Sequence, residues 1–384
     1  MSNTNTVSTA GFALNLLNKE IAAKPGENVV LSPLSVSVAL GMVVNGARNN
    51  TLQQMTSVLG LPNDATASNA AYGALLASLK RPGLGVTLKI ANAIFARTGF
   101  EFVPEFLAAN IRHFGAKLDT LDFSDDASVD EINDWVSKNT KKTPKDKEGM
   151  ITKLLEAPID PNTIMFLLNA LVFKGEWNVK FDKSLTKTGD FTKGDGTKVQ
   201  RDIMYRQGEM AYVTDWKDKV YSAIVLPFGD SKECRQVIVA PQDGRAVQDV
   251  LAVLTPEKLL ELCANDYESE GELWLPRQKL TYENELNGSL IGLGMDDAFN
   301  PGAADLTGLY AGDGNAFISR VKHKVVFNLD EEGAEGAAVT SVEIGLESCR
   351  MPWQFNVNRD FLGFTVTKDG AIKFAKYVTD PKAE

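Results

Sequence analysis

The sequence predicts an α+β fold forming one domain over residues 1–384. Three observations carry that expectation. Helix-periodic and strand-like segments are both present but do not alternate regularly, which disfavours a doubly wound sheet. The latter half is mainly strand with turns, from Met210 to Pro241 and again from Glu272 to Leu280. No internal repeat, low-complexity tract or interdomain linker divides the chain, and large mixed folds of this length can be one domain.

The elements follow from local chemistry. A first helix runs through Val7, Ala10, Leu14, Leu17 and Ile21 at helical spacing, and Pro25-Gly26 ends it. Ser32-Pro33 starts a second, with serine as cap and proline in the first turn, continuing through Val36, Ala39, Leu40, Val43 and Val44. Leu88–Phe95 reads as a strand. Thr163–Phe173 is a longer one, apolar on both faces, which predicts a central strand covered on both sides. His113 follows Ile111-Arg112 in a helix-like stretch and reads as structural. Cys234 and Cys263 lie in strand-like and helix-like segments, where buried free thiols are common.

Composition excludes several functions. With 40 basic and 50 acidic side chains the formal charge is −10, which argues against a nucleic-acid partner. Lys141-Lys142 and Lys145-Asp146-Lys147 are short, acid-interrupted clusters that read as solvated surface. No apolar run approaches the roughly 18 residues of a membrane span. Met1-Ser2-Asn3-Thr4-Asn5-Thr6 lacks the basic end and apolar core of a signal peptide. The protein is expected to stay where it is made, or to have lost a signal beforehand. Three cysteines, Cys234, Cys263 and Cys349, fit neither a disulfide framework nor a metal site, and no cofactor is implied. The only histidines are His113 and His323. Nucleophile-elbow, phosphate-loop, dinucleotide and zinc-protease motifs are all missing, which by itself is only weak evidence against an enzyme.

Late in the chain, Val321–Leu329 and Phe361–Val366 are strongly strand-like. Roughly thirty residues between them carry almost no bulky side chain until Trp353. So long a loop inside a compact domain is most often functional or disordered. It opens Glu331-Glu332-Gly333-Ala334-Glu335-Gly336-Ala337-Ala338-Val339-Thr340. Every second residue from Ala334, through Gly336, Ala338, Thr340 and Val342 to Ile344, is uncharged and mostly small or apolar. The other register carries Glu335 and Glu343. Such alternation marks a strand with one buried and one wet face. The segment is thus written as loop and strand together, exposed first and inserted into a sheet later. A flexible Ala/Gly linker or an ordinary edge strand is the simpler alternative. Cys349 in this loop reads as an incidental thiol, or else as an oxidisable or dimer-forming one.

With these residues in view, the sequence resembles the serpins, and Glu331–Thr340 looks like the hinge of an inhibitory serpin. Asn28–Val36 resembles the family's early strand-to-helix motif. Asn169–Trp177 resembles its central-sheet motif, with Trp177 where the loop enters. Glu131–Val136, Ala298-Phe299, Ala304-Asp305-Leu306 and the closing strands from Phe361 to Pro381 match in order and spacing over nearly the whole chain.

The resemblance implies helices packed around three β-sheets, a reactive-centre loop at about 333–354, and a monomer. Together with the missing catalytic motifs it implies an endopeptidase inhibitor and not an enzyme, acting by suicide inhibition of a serine protease, with a cysteine protease as a further option. The cleaved loop inserts into the central sheet of a metastable fold and drags the acyl-enzyme along. A non-inhibitory binding or storage serpin is the alternative. The implied hinge is Glu331, Glu332, Gly333, Ala334, Glu335, Gly336, Ala337 and Ala338. His323 is implied to form a polar shutter network with Ser32, Ser35 and Asn169. Family spacing puts the reactive bond at Glu347-Ser348, for a protease preferring acidic residues. Leu346 is a rival, for a subtilisin-like or chymotrypsin-like enzyme. Arg350 is another, for a trypsin-like one, although it lengthens the inserted strand by about 10 Å.

Overall fold

Capping chemistry sets the first helices. In the computed structural model, α1 (Asn3–Ala23) buries Leu14, Leu17 and Ile21 and stops before Pro25 and Gly26, whose φ is +78°. After β1 (Val29–Leu31), the Ser32 side chain accepts from Ser35 N–H at 3.3 Å and caps α2 (Pro33–Val44), with Pro33 in the first turn as predicted. Next come α3 (Asn49–Leu59), α4 (Ala65–Lys80), β2 (Val86–Arg97), α5 (Pro104–Phe114), β3 (Lys117–Leu121), α6 (Ala127–Asn139) and β4 (Met165–Glu176). The structure describes residues 3–80, 86–141, 143, 145–215, 217–310, 312, 316–334 and 352–382.

The second half is mainly strand, as expected. It contains β5 (Lys187–Thr192), β6 (Lys198–Thr214), β7 (Tyr221–Phe228) and β8 (Cys234–Pro241), then α7 (Val247–Val253) and α8 (Pro256–Ala264). β9 (Ser269–Pro276), β10 (Gln278–Glu285), α9 (Asn287–Gly292), β11 (Lys322–Leu329) and β12 (Gly333–Ala334) follow. β13 (Trp353–Asn356), β14 (Phe361–Thr367) and β15 (Ile372–Val378) close the chain. Cys234 and Cys263 are buried on β8 and α8, in agreement with the sequence.

Among the described residues the strands form three sheets, and helices pack around them. One sheet of nine strands runs β1-β15-β14-β8-β7-β6-β9-β13, with β5 beside β6. A four-stranded sheet runs β12-β4-β2-β3, and β10 pairs with β11 alone. The main core lies between these sheets and helices α1 and α2. A satellite core under α6 joins Ile132 and Val136 to Phe95 of β2 and Leu168 of β4.

β4 has the main core against one face and the satellite core under α6 against the other, as its two apolar faces predict. Along its edges it pairs with β2 over its length, and among the described residues its other edge meets the two residues of β12, at Gly175 and Glu176. No ladder joins β4 to β11 among the described residues. Leu167, Asn169 and Leu171 are therefore only half-buried, because the interval beside them holds no described strand.

Candidate functional site

The site is built where β11 ends and the chain turns toward β4. Asp330 and Gly333 exchange backbone hydrogen bonds at 2.9 and 3.2 Å, and the Asp330 side chain accepts from Glu332 N–H at 2.9 Å. Gly333 has φ +135°, and a Cβ there would sit 2.2 Å from the Gly175 carbonyl oxygen, so only glycine fits this turn. The chain then runs antiparallel beside β4, with Gly333 opposite Glu176 and Ala334 opposite Gly175. Ala334 is 3% exposed.

Trp177 fastens this turn. Its backbone N–H donates to Glu332 O at 2.9 Å and its indole Nε1–H donates to Asp330 O at 2.8 Å. The ring stacks on Phe228 with centroids 4.6 Å apart and packs edge-on to Phe181. Stacking fixes the indole, and Trp177 as a whole holds two carbonyls of the turn in place.

Two acids sit in the turn with little access to water, so both need counter-charges. Glu331 is bound by Arg277, and Thr186 Oγ1 donates to its Oε1 at 2.5 Å. Burial alone would raise the Glu331 carboxyl, but these hydrogen bonds prevail and hold it below its usual value. Glu332 contacts Lys180 at 2.9 Å and Lys183 at 3.0 Å. Neighbouring Asp330 is shifted up by burial. None of the cationic partners carries a local sequence signal. Two consecutive buried acids announce that cations are needed, but not which distant ones.

Below the turn, a cavity of about 340 Å³ separates β4 from β11. Leu167, Asn169 and Leu171 line one side, and His323 and Val325 the other. Ser32 and Ser35 reach it from the start of α2. His323 Nε2 accepts from Ser32 N–H at 3.0 Å, and Ser32 Oγ donates to Ser35 Oγ at 2.9 Å. Burial pushes the His323 imidazole down to about 4. It is therefore neutral near pH 7, as an acceptor at Nε2 requires.

Asn169 departs from the implied network. It shares the cavity but donates to Asn92 Oδ1 at 2.6 Å, and Asn92 in turn donates to Phe114 O at 2.7 Å. The β2·β4 register places Asn92 directly opposite Asn169, which accounts for the pairing. Asn169 Oδ1 is buried without a partner among the described residues. Glu335, Gly336, Ala337, Ala338, Leu346, Glu347, Ser348, Cys349 and Arg350 lie outside the described residues. Among the described residues, no group of three or more His, Cys, Asp or Glu side chains could hold a metal ion.

Comparison with known proteins agrees with this geometry. Residues 7–381 match the sequence model of the family described as Serpin (serine protease inhibitor). The chain is 33% identical over 365 residues to a leukocyte elastase inhibitor of Equus caballus, covering 92% of this chain and 93% of that protein. It is 33% identical over 380 residues to Serpin B6 of Macaca fascicularis, covering 96% and 97%. The crystal structure of the thermophilic serpin tengpin in its native state superposes with a TM-score of 0.86 at 29% identity, covering 98% of this chain and 94% of that one. The chain belongs to the serpin family of serine protease inhibitors.

Proposed function

We propose that this serpin traps serine endopeptidases covalently, that Glu347-Ser348 is the reactive bond, and that the cleaved segment becomes a strand between β4 and β11. The protease nucleophile attacks the Glu347 carbonyl, the bond to Ser348 nitrogen breaks, and the nitrogen leaves with the enzyme's proton. The acyl-enzyme then travels with the loop as it enters the sheet.

The observation that carries this reading is the register of β12. Gly333 and Ala334 already pair with Glu176 and Gly175. Continuing that antiparallel register sets Thr340 opposite Asn169 and Ile344 opposite Met165, the first residue of β4. Directly opposed residues share a face, so Ala338, Thr340 and Val342 would turn to the core and Glu335 would lie beside Lys174. Thr340 would then stand beside the unpaired Asn169 oxygen. The uncharged register and the interval match in length and polarity. The name of the horse relative, an elastase inhibitor, supports a protease target of the same general kind.

Incubation with a glutamate-specific endopeptidase, subtilisin, chymotrypsin and trypsin tests the proposal on a denaturing gel. A band at the summed mass with the glutamate-specific enzyme, and a released peptide beginning at Ser348, is the expected result. A peptide beginning at Glu347 moves the reactive bond to Leu346, and one beginning at Met351 moves it to Arg350. Cleavage by all four without a covalent band overturns trapping.

A further inference from the structure

A second cavity, of about 720 Å³, lies at the other end of the same interval. Its lining includes Lys174 of β4, Lys279 and Gln278 of β10, and Lys382 beyond β15, together with Arg201 and Arg277. Lys279 lies beside Lys382 in an isolated parallel bridge, fastened by Lys279 N–H donating to Pro381 O at 2.9 Å. Bridged residues project to one face, so two lysine side chains leave the same face from adjacent backbone positions. Like charges placed so oppose each other unless an anion joins them.

Among the described residues, none of Lys174, Lys279 and Lys382 has an ion-pair partner. The lining arginines are engaged, Arg201 with Asp380 and Arg277 with Glu331 and Asp202, yet guanidinium groups have donors to spare. The lining acids are held as well. Asp202 faces Arg277, Asp330 takes Glu332 N–H, and Asp146 accepts from Thr143 N–H and Oγ1. Gln278 adds an independent sign. It is 2% exposed, its Oε1 accepts from Lys376 Nζ at 3.0 Å, and its Nε2 is buried with no partner among the described residues. A buried donor without a partner and three lysines without an ion pair among the described residues line one cavity, a set that suits an acceptor-only ligand.

We propose that this cavity binds a compact multivalent oxyanion of the phosphate type, which ties Lys174 on one lip of the interval to Lys279 and Lys382 on the other and so restrains loop insertion. The restraint rests on the insertion reading above, in which Glu335 arrives beside Lys174 and competes with the anion. Binding itself does not rest on it. Acids around the lining disfavour a long polyanion, and the volume suits a phosphate or pyrophosphate.

Calorimetric titration of the full uncleaved chain with inorganic pyrophosphate, against sodium chloride of equal ionic strength, tests the site. One-site saturable binding is expected, weakened about tenfold or more by Lys279→Gln with Lys382→Gln and similarly by Lys174→Gln, the loss that follows from removing a charge-assisted contact. These side chains are partly or wholly exposed, so the variants should fold, and unchanged circular dichroism checks that they do. Chain cleaved in the loop should bind about tenfold more weakly, and pyrophosphate should slow the rise in melting temperature that follows cleavage. No saturable heat, or equal binding by the lysine variants, overturns the site. Equal binding by cleaved and intact chain overturns the restraint. The isotherms read the site whether or not any protease is trapped, so the two proposals fail separately.

Discussion

Arg277 grips Glu331 through two nitrogens, Nε at 2.8 Å and Nη2 at 2.7 Å from Oε1, and the carboxylate so held is 1% exposed. The pair joins the link between β9 and β10 to the turn that feeds the loop. Replacing Glu331 by Gln would keep the volume and remove the charge. Arg277 is 41% exposed and could turn to water, so the cost is smaller than for a wholly buried pair, about 1–2 kcal/mol. Thermal melts should show reduced stability, and size-exclusion chromatography should show more self-association on warming. A melt identical to wild type would mean that the pair contributes nothing to closing the turn.

Ala334 gives the sharpest functional test. It is already packed beside Gly175, so Ala334→Arg would bring an unpaired charge to the first inserting position, where burial is expensive. Slower insertion leaves time for the acyl-enzyme to hydrolyse. The expected outcome is a substrate, cut at the same bond, with covalent complex reduced by about tenfold or more. If the variant traps protease as efficiently as wild type, insertion does not begin here.

Gly333→Ala probes the turn by another route. The new methyl would meet the Gly175 carbonyl at 2.2 Å, at a φ that side chains rarely adopt. A destabilisation of about 1–3 kcal/mol is expected in denaturant titration. Hydrogen exchange should quicken at Trp177 N–H, which donates to Glu332 O. Unaltered protection there would show that the turn tolerates a Cβ by shifting elsewhere.

His323 makes stability depend on pH. Its imidazole is depressed from 6.5 to about 4 by burial. Above pH 6.5 both folded and unfolded states are neutral at this position, and its contribution is complete. Between 6.5 and about 4 the unfolded chain binds a proton that the folded state refuses, so stability falls as pH falls, by about 3 kcal/mol in all. Below about 4 both states are protonated and the dependence flattens. His323→Gln should remove this slope from stability curves measured by chemical denaturation. An unchanged slope would assign it to other groups.

Much of the fold is legible in the amino-acid sequence, for physical reasons. The alternation of Lys322–Leu329 appears directly as alternate burial along β11, because a pleated strand with one wet face writes its period into the sequence. Ser32-Pro33 marks the start of α2 because caps are local. What stays hidden depends on register and on distant chain. Nothing near Asn169 says that Asn92 will face it. Nothing near Glu332 points to Lys180 and Lys183 across the turn. The apolar run in β4 reports its two covered faces but not what lies along its edges, since side-chain polarity does not read the hydrogen-bonding direction. Lys373 and Lys376 are fully buried in β15, where composition alone would place lysine at the surface.

Beyond the loop, β13 lies parallel to β9, and β14 and β15 lie between β8 and the edge strand β1 of the nine-stranded sheet. A cut before this region severs the polypeptide without severing the particle. The carboxyl-terminal fragment keeps its strands between β8 and β1 and departs only when the whole sheet melts. Native mass and hydrodynamic radius should therefore barely register the break, and a chain cut without retaining the protease would travel through a column as a single body carrying a hidden nick.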